Sequence, residues 1–169
     1  AMIKGKPMIQ RVYEQCVKGF NGQIIVATDS VKIQNFCQKN NIPVELTSKS
    51  CKTGSDRVAE ISGKYQFDYY VNVQGDEPIF NPHDLTTFIN KIKSQKEYYS
   101  VFAGYTLINS PDEYFSPQIP KMVFNKNEEL IYTSRSPIPS NKDNTFTESF
   151  KQVCVYGFTK KALEKYSKR

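Results

Sequence analysis

The sequence predicts an α/β domain: a three-layer, doubly wound, mostly parallel sheet with antiparallel strands added in its second half. Three observations carry that prediction. From Met8 to about Ile92, helical and extended patterns alternate, and such alternation builds βαβ units with right-handed crossovers. From Tyr98 onward, extended runs follow one another with few helices between them. Between these halves, Tyr69–Val73 is an apolar and β-branched run bounded by polar and turn residues, the pattern of a strand covered on both faces.

The elements follow in order. Gly5-Lys6-Pro7 leads into Met8, Ile9, Val12, Tyr13, Cys16 and Val17, an apolar stripe at helical spacing that Gly19 and Gly22 end; Pro7 suits a first helical turn. Gln23–Thr28 reads as a short strand. Asp29-Ser30 supplies cap chemistry for a helix over Val31–Gln38. Pro43–Thr47 reads as a strand, Ser48–Thr53 as a polar loop, and Ser55–Tyr65 as a helix. After the central strand, Asn81-Pro82 opens a helix striped by Leu85, Phe88, Ile89 and Ile92. Tyr98–Ile108, Ile119–Phe124, Leu130–Ser134 and Phe150–Phe158 read as strands. Asn109–Pro117 and Pro137–Thr147, rich in Pro, Ser and Asn, read as loops, and Thr159 caps a last helix from Lys160.

Composition narrows the class. The 169 residues suit one domain, read here as spanning 1–169. The four cysteines are scattered without a CxxC, and His83 is the only histidine. That excludes a zinc ribbon and fits reduced thiols in the cytoplasm. No apolar run approaches a membrane span and no signal-peptide pattern opens the sequence. The net charge of +6 is spread along the chain, whereas nucleic-acid binding shows a clustered stripe. The expectation is therefore no nucleic acid, no membrane and a small anionic substrate. The alternation opens on a helix with no strand feeding it, so these residues read as the middle of a larger domain.

Chemistry concentrates at expected strand ends. Past Val73 come Gln74, Gly75, Asp76 and Glu77, at the carboxyl edge where open α/β sheets hold ligands. Asp76 there suits Mg²⁺ shared with substrate phosphates; the alternative is an acidic, solvated turn. Thr53-Gly54-Ser55-Asp56-Arg57 places a glycine and a cation at a helix start, which favours an anion; the alternative is a cap with Arg57 in a surface ion pair. Asp29 reads as a helix cap. Arg135, before a proline-fixed segment, offers a fork matched to carboxylate or phosphate; the alternative is a surface arginine. Gln152, Cys154 and Tyr156 share one strand face, where a tyrosine is also ordinary packing.

In this order the segments GKPMIQRVYE, IIVATDS, TGSDRVAE, VNVQGDEPIF, Lys121-Met122-Val123, SRSPIP and VYGF resemble the 3-deoxy-manno-octulosonate (Kdo) cytidylyltransferases, the CMP-Kdo synthetases of lipopolysaccharide assembly. The resemblance covers nearly the whole chain. It implies the nucleotide-diphospho-sugar transferase (Rossmann-like) fold, a homodimer, and transfer of CMP from CTP to a sugar acid. By position it implies Mg²⁺ at Asp76, nucleotide contacts at Thr53, Ser55 and Arg57, and sugar contacts at Gln74, Arg135, Gln152 and Tyr156. Asp76 and Arg57 would be catalytic. Two departures accompany it. The family opens with a loop of the type IPAR…SxRLPGKP ahead of a second GKP, of which only Gly5-Lys6-Pro7 is present. Its carboxyl-terminal region, with another metal-binding aspartate, also lies outside these residues. Where the family usually reads His-x-Gly, this chain has Gln152-Val153-Cys154. That leaves Kdo, an amino-substituted octulosonate or a nine-carbon acid as the sugar, and a non-catalytic nucleotide-binding homologue as the alternative to an enzyme.

Overall fold

The structure is a computed structural model and describes residues 1–168. In chain order the elements are β1 (Met2–Ile3), β2 (Lys6–Pro7), α1 (Met8–Gly19), β3 (Val26–Thr28), α2 (Val31–Lys39), β4 (Val44–Leu46), α3 (Gly54–Ser62) and β5 (Tyr69–Val73). There follow α4 (Pro82–Gln95), β6 (Val101–Leu107), α5 (Pro111–Phe115), β7 (Lys121–Phe124), β8 (Leu130–Ser134), β9 (Phe150–Thr159) and α6 (Lys160–Tyr166). They form two compact units, Ala1–Phe102 with the stretch from Val155 onward, and Ala103–Cys154.

In the first unit, β3 and β4 pair in parallel, Val26 opposite Val44 and Thr28 opposite Leu46. The crossover helix α2 starts at Ser30, whose hydroxyl accepts from the Ile33 N–H. The later half of β9 runs antiparallel to β5, with Asn72 opposite Tyr156 and Val73 opposite Val155. The sheet chemistry is therefore mixed. Alternation along β5 sends Tyr69, Val71 and Val73 to one face, against Val12 and Cys16 of α1 and Leu85 and Ile89 of α4. Tyr70 goes to the other, against Ala59 of α3 and Leu163 of α6. The other edge of the α1 stripe, Ile9 and Tyr13, packs on Val26 and Cys37. Gly157 lies under α4 so closely that a Cβ there would fall 2.4 Å from Ile92 Cδ1.

Two features were not legible as elements. Lys4 and Gly5 both take positive φ, 45° and 76°, and close a β1–β2 hairpin before α1. Residues 23–25, read as strand, lie outside β3, because β4 supplies partners only from Val26 onward.

In the second unit, β7 pairs antiparallel with β8 and with the start of β9, Met122 opposite Phe150. The segment Asn109–Pro117, expected to be a loop, contains α5. Ser110 accepts from the Glu113 N–H at 3.3 Å with Pro111 in the first turn, a start signal outweighed in the sequence by its polar neighbours. Tyr114 is 1% exposed, meets Phe115 and Phe146 at ring distances of 4.9 and 5.5 Å, and donates to the Pro139 carbonyl at 2.6 Å. Lys121 is fully buried and donates to the carbonyls of Ser116 at 2.6 Å and Arg135 at 2.9 Å. Burial, reinforced by the Arg135 charge, pulls its ammonium below the usual lysine range.

Surface carboxylates set the acid response. Hydrogen bonds from Lys6, Lys64 and Lys151 hold Glu14, Glu45 and Glu113 below the ordinary glutamate value of 4.5. In this range the unfolded chain binds more protons than the folded one, so stability falls as pH falls. Urea midpoints are expected to be flat near neutrality and to decline from about pH 4.5 downward. A midpoint that rises on acidification would contradict these pairings.

Candidate active site

The site grows from the start of α3. Thr53 Oγ1 accepts from the Asp56 N–H at 3.2 Å, and Asp56 Oδ2 accepts from the N–H groups of Thr53 at 2.7 Å and Lys52 at 2.9 Å. This reciprocal cap fixes the first turn. Gly54 then lets that turn lie on β5, since a Cβ there would stand 2.9 Å from Asn72 Nδ2. Ser55 follows, half-buried on the same turn.

One residue further, the guanidinium of Arg57 ties three elements together. Nη2 donates to Asp29 Oδ2 at 2.9 Å, and Nη1 donates to Thr47 Oγ1 at 2.7 Å and the Ser48 carbonyl at 3.3 Å. Asp29 follows β3 and Thr47 follows β4, so both strand ends meet at α3. The hydrogen bond from Arg57 holds the Asp29 carboxyl below its ordinary value. Asp29 is thus not the helix cap that the sequence indicated; Ser30 takes that position. The alternative reading of TGSDR as a cap plus an ion pair is present, and the ion pair joins two strand ends. Neither Asp29 as a partner of Arg57 nor Thr47 was singled out from sequence. The signal available was a polar residue directly after each strand.

Past β5 the chain turns, the Glu77 N–H donating to the Gln74 carbonyl at 3.3 Å. Asp76 is exposed, and Gln74 is half-buried. Arg57, Gln74 and Asp76 line one cavity together with Gly54; this brings the nucleotide-side candidates Arg57 and Asp76 together with the sugar-side candidate Gln74, whereas Thr53 and Ser55 are not among its lining residues. Tyr156, also in the first unit, faces the cluster of Ala59, Tyr70 and Leu163, with its ring 6.5 Å from Phe158; packing is part of its role. Arg135 and Gln152 belong to the second unit. Arg135 is exposed just past β8, and its Nη1 donates to the carbonyls of Pro117 at 3.1 Å and Gln118 at 2.8 Å. Gln152 lies on β9 and its N–H donates to the Pro120 carbonyl at 3.0 Å.

Among the described residues no three His, Cys, Asp or Glu side chains gather as a ready metal cage. The donors present at the strand end are the adjacent carboxylates of Asp76 and Glu77. Hard oxygen donors in that number fit Mg²⁺, which keeps several waters and takes phosphate oxygens besides one or two carboxylates. They do not fit zinc.

An arginine, a capped helix start and a carboxylate gathered at strand carboxyl ends of a mixed α/β sheet define a nucleotide-handling transferase. The chain belongs to the cytidylyltransferase family, whose model matches residues 1–169. It is 34% identical to the 3-deoxy-manno-octulosonate cytidylyltransferase of Geotalea daltonii, the match covering 99% of this chain and 70% of that protein. It is 35% identical to the 8-amino-3,8-dideoxy-manno-octulosonate cytidylyltransferase of Shewanella sp. (strain W3-18-1), covering 99% and 70%. Among solved structures, CMP:2-keto-3-deoxy-manno-octonic acid synthetase complexed with CTP superposes with a TM-score of 0.92 at 31% identity, over 99% of this chain and 69% of that one. HddC from Yersinia pseudotuberculosis, at 11% identity and a TM-score of 0.64 over 98% of this chain and 68% of that one, shares the fold.

Proposed function

We propose that the chain catalyses transfer of CMP from CTP to Kdo, giving CMP-Kdo and pyrophosphate, for lipopolysaccharide or capsule synthesis. The convergence of Arg57, Gln74 and Asp76 on one cavity carries this reading, in a fold that overlays a CTP-bound synthetase. The anomeric hydroxyl of the sugar attacks the α-phosphorus. A C–O–P bond forms, the bond to pyrophosphate breaks, and the hydroxyl proton leaves to solvent or a phosphate oxygen. The demands are in-line placement and neutralised phosphate charge. Thr53 and Ser55, at the start of α3, and Arg57 serve the nucleotide; Gln74, Arg135, Gln152 and Tyr156 serve the sugar acid. Asp76 would hold Mg²⁺, which neutralises phosphate charge when bound. Pyrophosphate release from CTP should require both a sugar acid and Mg²⁺; release independent of the sugar would refute the assignment.

A related sugar acid is the second reading. Gln152 stands where the family pattern implies histidine, and the Shewanella relative is named for an 8-amino sugar. Comparing kcat/KM for Kdo and its 8-amino analogue decides between them. Arg135→Ala is expected to raise the sugar KM by about 10- to 100-fold, the worth of a charge-assisted hydrogen bond, with the CTP KM within about twofold. Equal effects on both would reassign Arg135.

The apolar side chains of Leu130, Ile131 and Tyr132 on β8 are 51–63% exposed. They support a homodimer through the second unit, which light scattering would test. Among the described residues no helix is long and apolar enough to cross a membrane. The cysteines are unbridged, and CTP is a cytoplasmic nucleotide; on these grounds we place the protein in the cytoplasm.

A further inference from the structure

One buried cation has no part in the chemistry proposed so far. Lys121 opens β7, opposite Ser134 on β8 and Lys151 on β9, and is fully buried. Among the described residues no carboxylate pairs with its ammonium; its partners are the carbonyls of Ser116 and Arg135. An ammonium taken out of water without a counter-ion is costly. A methionine of similar length would fill the space without that cost, so packing alone does not account for a lysine here.

What the ammonium holds is a frame around Arg135. The end of α5 is followed by three consecutive carbonyls that are all engaged. Ser116 accepts from Lys121 Nζ at 2.6 Å, and Pro117 and Gln118 accept from Arg135 Nη1 at 3.1 and 2.8 Å. Lys121 Nζ also donates to the Arg135 carbonyl at 2.9 Å. Main chain and guanidinium of Arg135 are thus tied to one short segment, with Lys121 bridging the two. Just beyond, the Ser136 N–H donates to Ser134 Oγ at 3.0 Å, which fixes the turn out of β8. The same segment reaches a second sugar-side candidate, since the Pro120 carbonyl accepts from the Gln152 N–H at 3.0 Å. Arg135 stays exposed. Its Nε and Nη2, the edge that forms a side-on fork for a carboxylate, have no partner among the described residues. Besides burial, the Arg135 charge disfavours the Lys121 ammonium; an anion on that edge would offset this.

We propose that Lys121 is a positioning residue for the acidic substrate: it holds Arg135 so that the Nε–Nη2 edge meets the sugar carboxylate, without itself touching substrate. This role rests on the assignment of Arg135 to the sugar acid. Every member of the frame lies in the second unit, whereas Arg57 and Asp76 lie in the first. Loss of the frame should therefore weaken the sugar and spare CTP.

The test is a double-mutant cycle over Lys121→Met and Arg135→Ala. It reads the KM for CTP and for the preferred of Kdo and its 8-amino analogue, beside a thermal melt of each variant. Lys121→Met is expected to raise the sugar KM about tenfold, the scale of a lost charge-assisted hydrogen bond, with kcat and the CTP KM within about twofold. In the double variant the sugar KM should stay within about twofold of Arg135→Ala alone, because the lysine acts through the arginine. Additive effects would give Lys121 a route of its own and overturn the proposal. So would an unchanged sugar KM in Lys121→Met where Arg135→Ala raises it; that outcome leaves the assignment of Arg135 standing. An unchanged sugar KM in Arg135→Ala refutes that assignment and the positioning role with it. If Lys121→Met does not fold, Lys121→Gln, which keeps an N–H donor and loses the charge, takes its place. Failure of both to fold would make Lys121 structural, against the proposal.

Discussion

Asp76→Asn is expected to lower kcat for pyrophosphate release by at least about 10³-fold, the scale of roughly 4 kcal/mol of lost charge stabilisation. Tm should stay within about 2 °C, the size of a surface change below half a kcal/mol. The two halves of this expectation come from different observations. Asp76 is exposed on a turn after β5, so little packing depends on it. It shares a cavity with Arg57 and Gln74, and in the proposed function its charge helps to balance that of the phosphates. Asparagine keeps the shape and removes the anion. Steady-state kinetics beside a thermal melt reads both at once. Near-normal turnover would remove Asp76 from the site, and a collapsed melt would make it structural.

Tyr114→Ala is expected to produce the largest loss of stability, about 3–5 kcal/mol for emptying a large aromatic site. About 1 kcal/mol more follows from the lost bond to Pro139. The ring is 1% exposed and is enclosed by Phe115 and Phe146, so collapse around the gap is limited. Tyr114→Phe isolates the hydroxyl and should cost only about 1 kcal/mol. Because that hydroxyl holds the carbonyl of Pro139, four residues beyond Arg135, the phenylalanine variant should also raise the sugar KM more than the CTP KM. Denaturant melts of both variants check the ordering. Equal losses would mean that the hydroxyl, not the ring, carries the site.

What the sequence disclosed depended on whether a residue's partner was local. β5 and β8 were read with their observed limits, and α4 with its cap at Asn81, because period, cap and turn residues are adjacent in the chain. The same holds for Thr53 and Asp56, three positions apart. Arg57 was recognisable as a cation at a helix start, but its attachment to Asp29 spans 28 positions and no periodicity encodes it. Asp29 was consequently misread as a cap. α5 was missed because five helical residues are too few to show a period. Lys121 entered only as part of a resembling segment. That an ammonium would be fully buried on two carbonyls follows from tertiary packing alone.

The reciprocal cap at Thr53 and Asp56 bears on how such proteins are found and altered. Both side chains close the first turn of α3, so selection for folding would retain them even in a lineage that had lost its chemistry. A motif search resting on Thr-Gly-Ser-Asp gathers chains that begin a helix in this way, active or not. A saturation scan scored by activity would flag Asp56 for lost folding and could mistake it for a ligand. The arginine that follows, committed to an aspartate just past β3, is the better discriminator. In mining genomes for working relatives, covariation between those two positions should outweigh the motif itself.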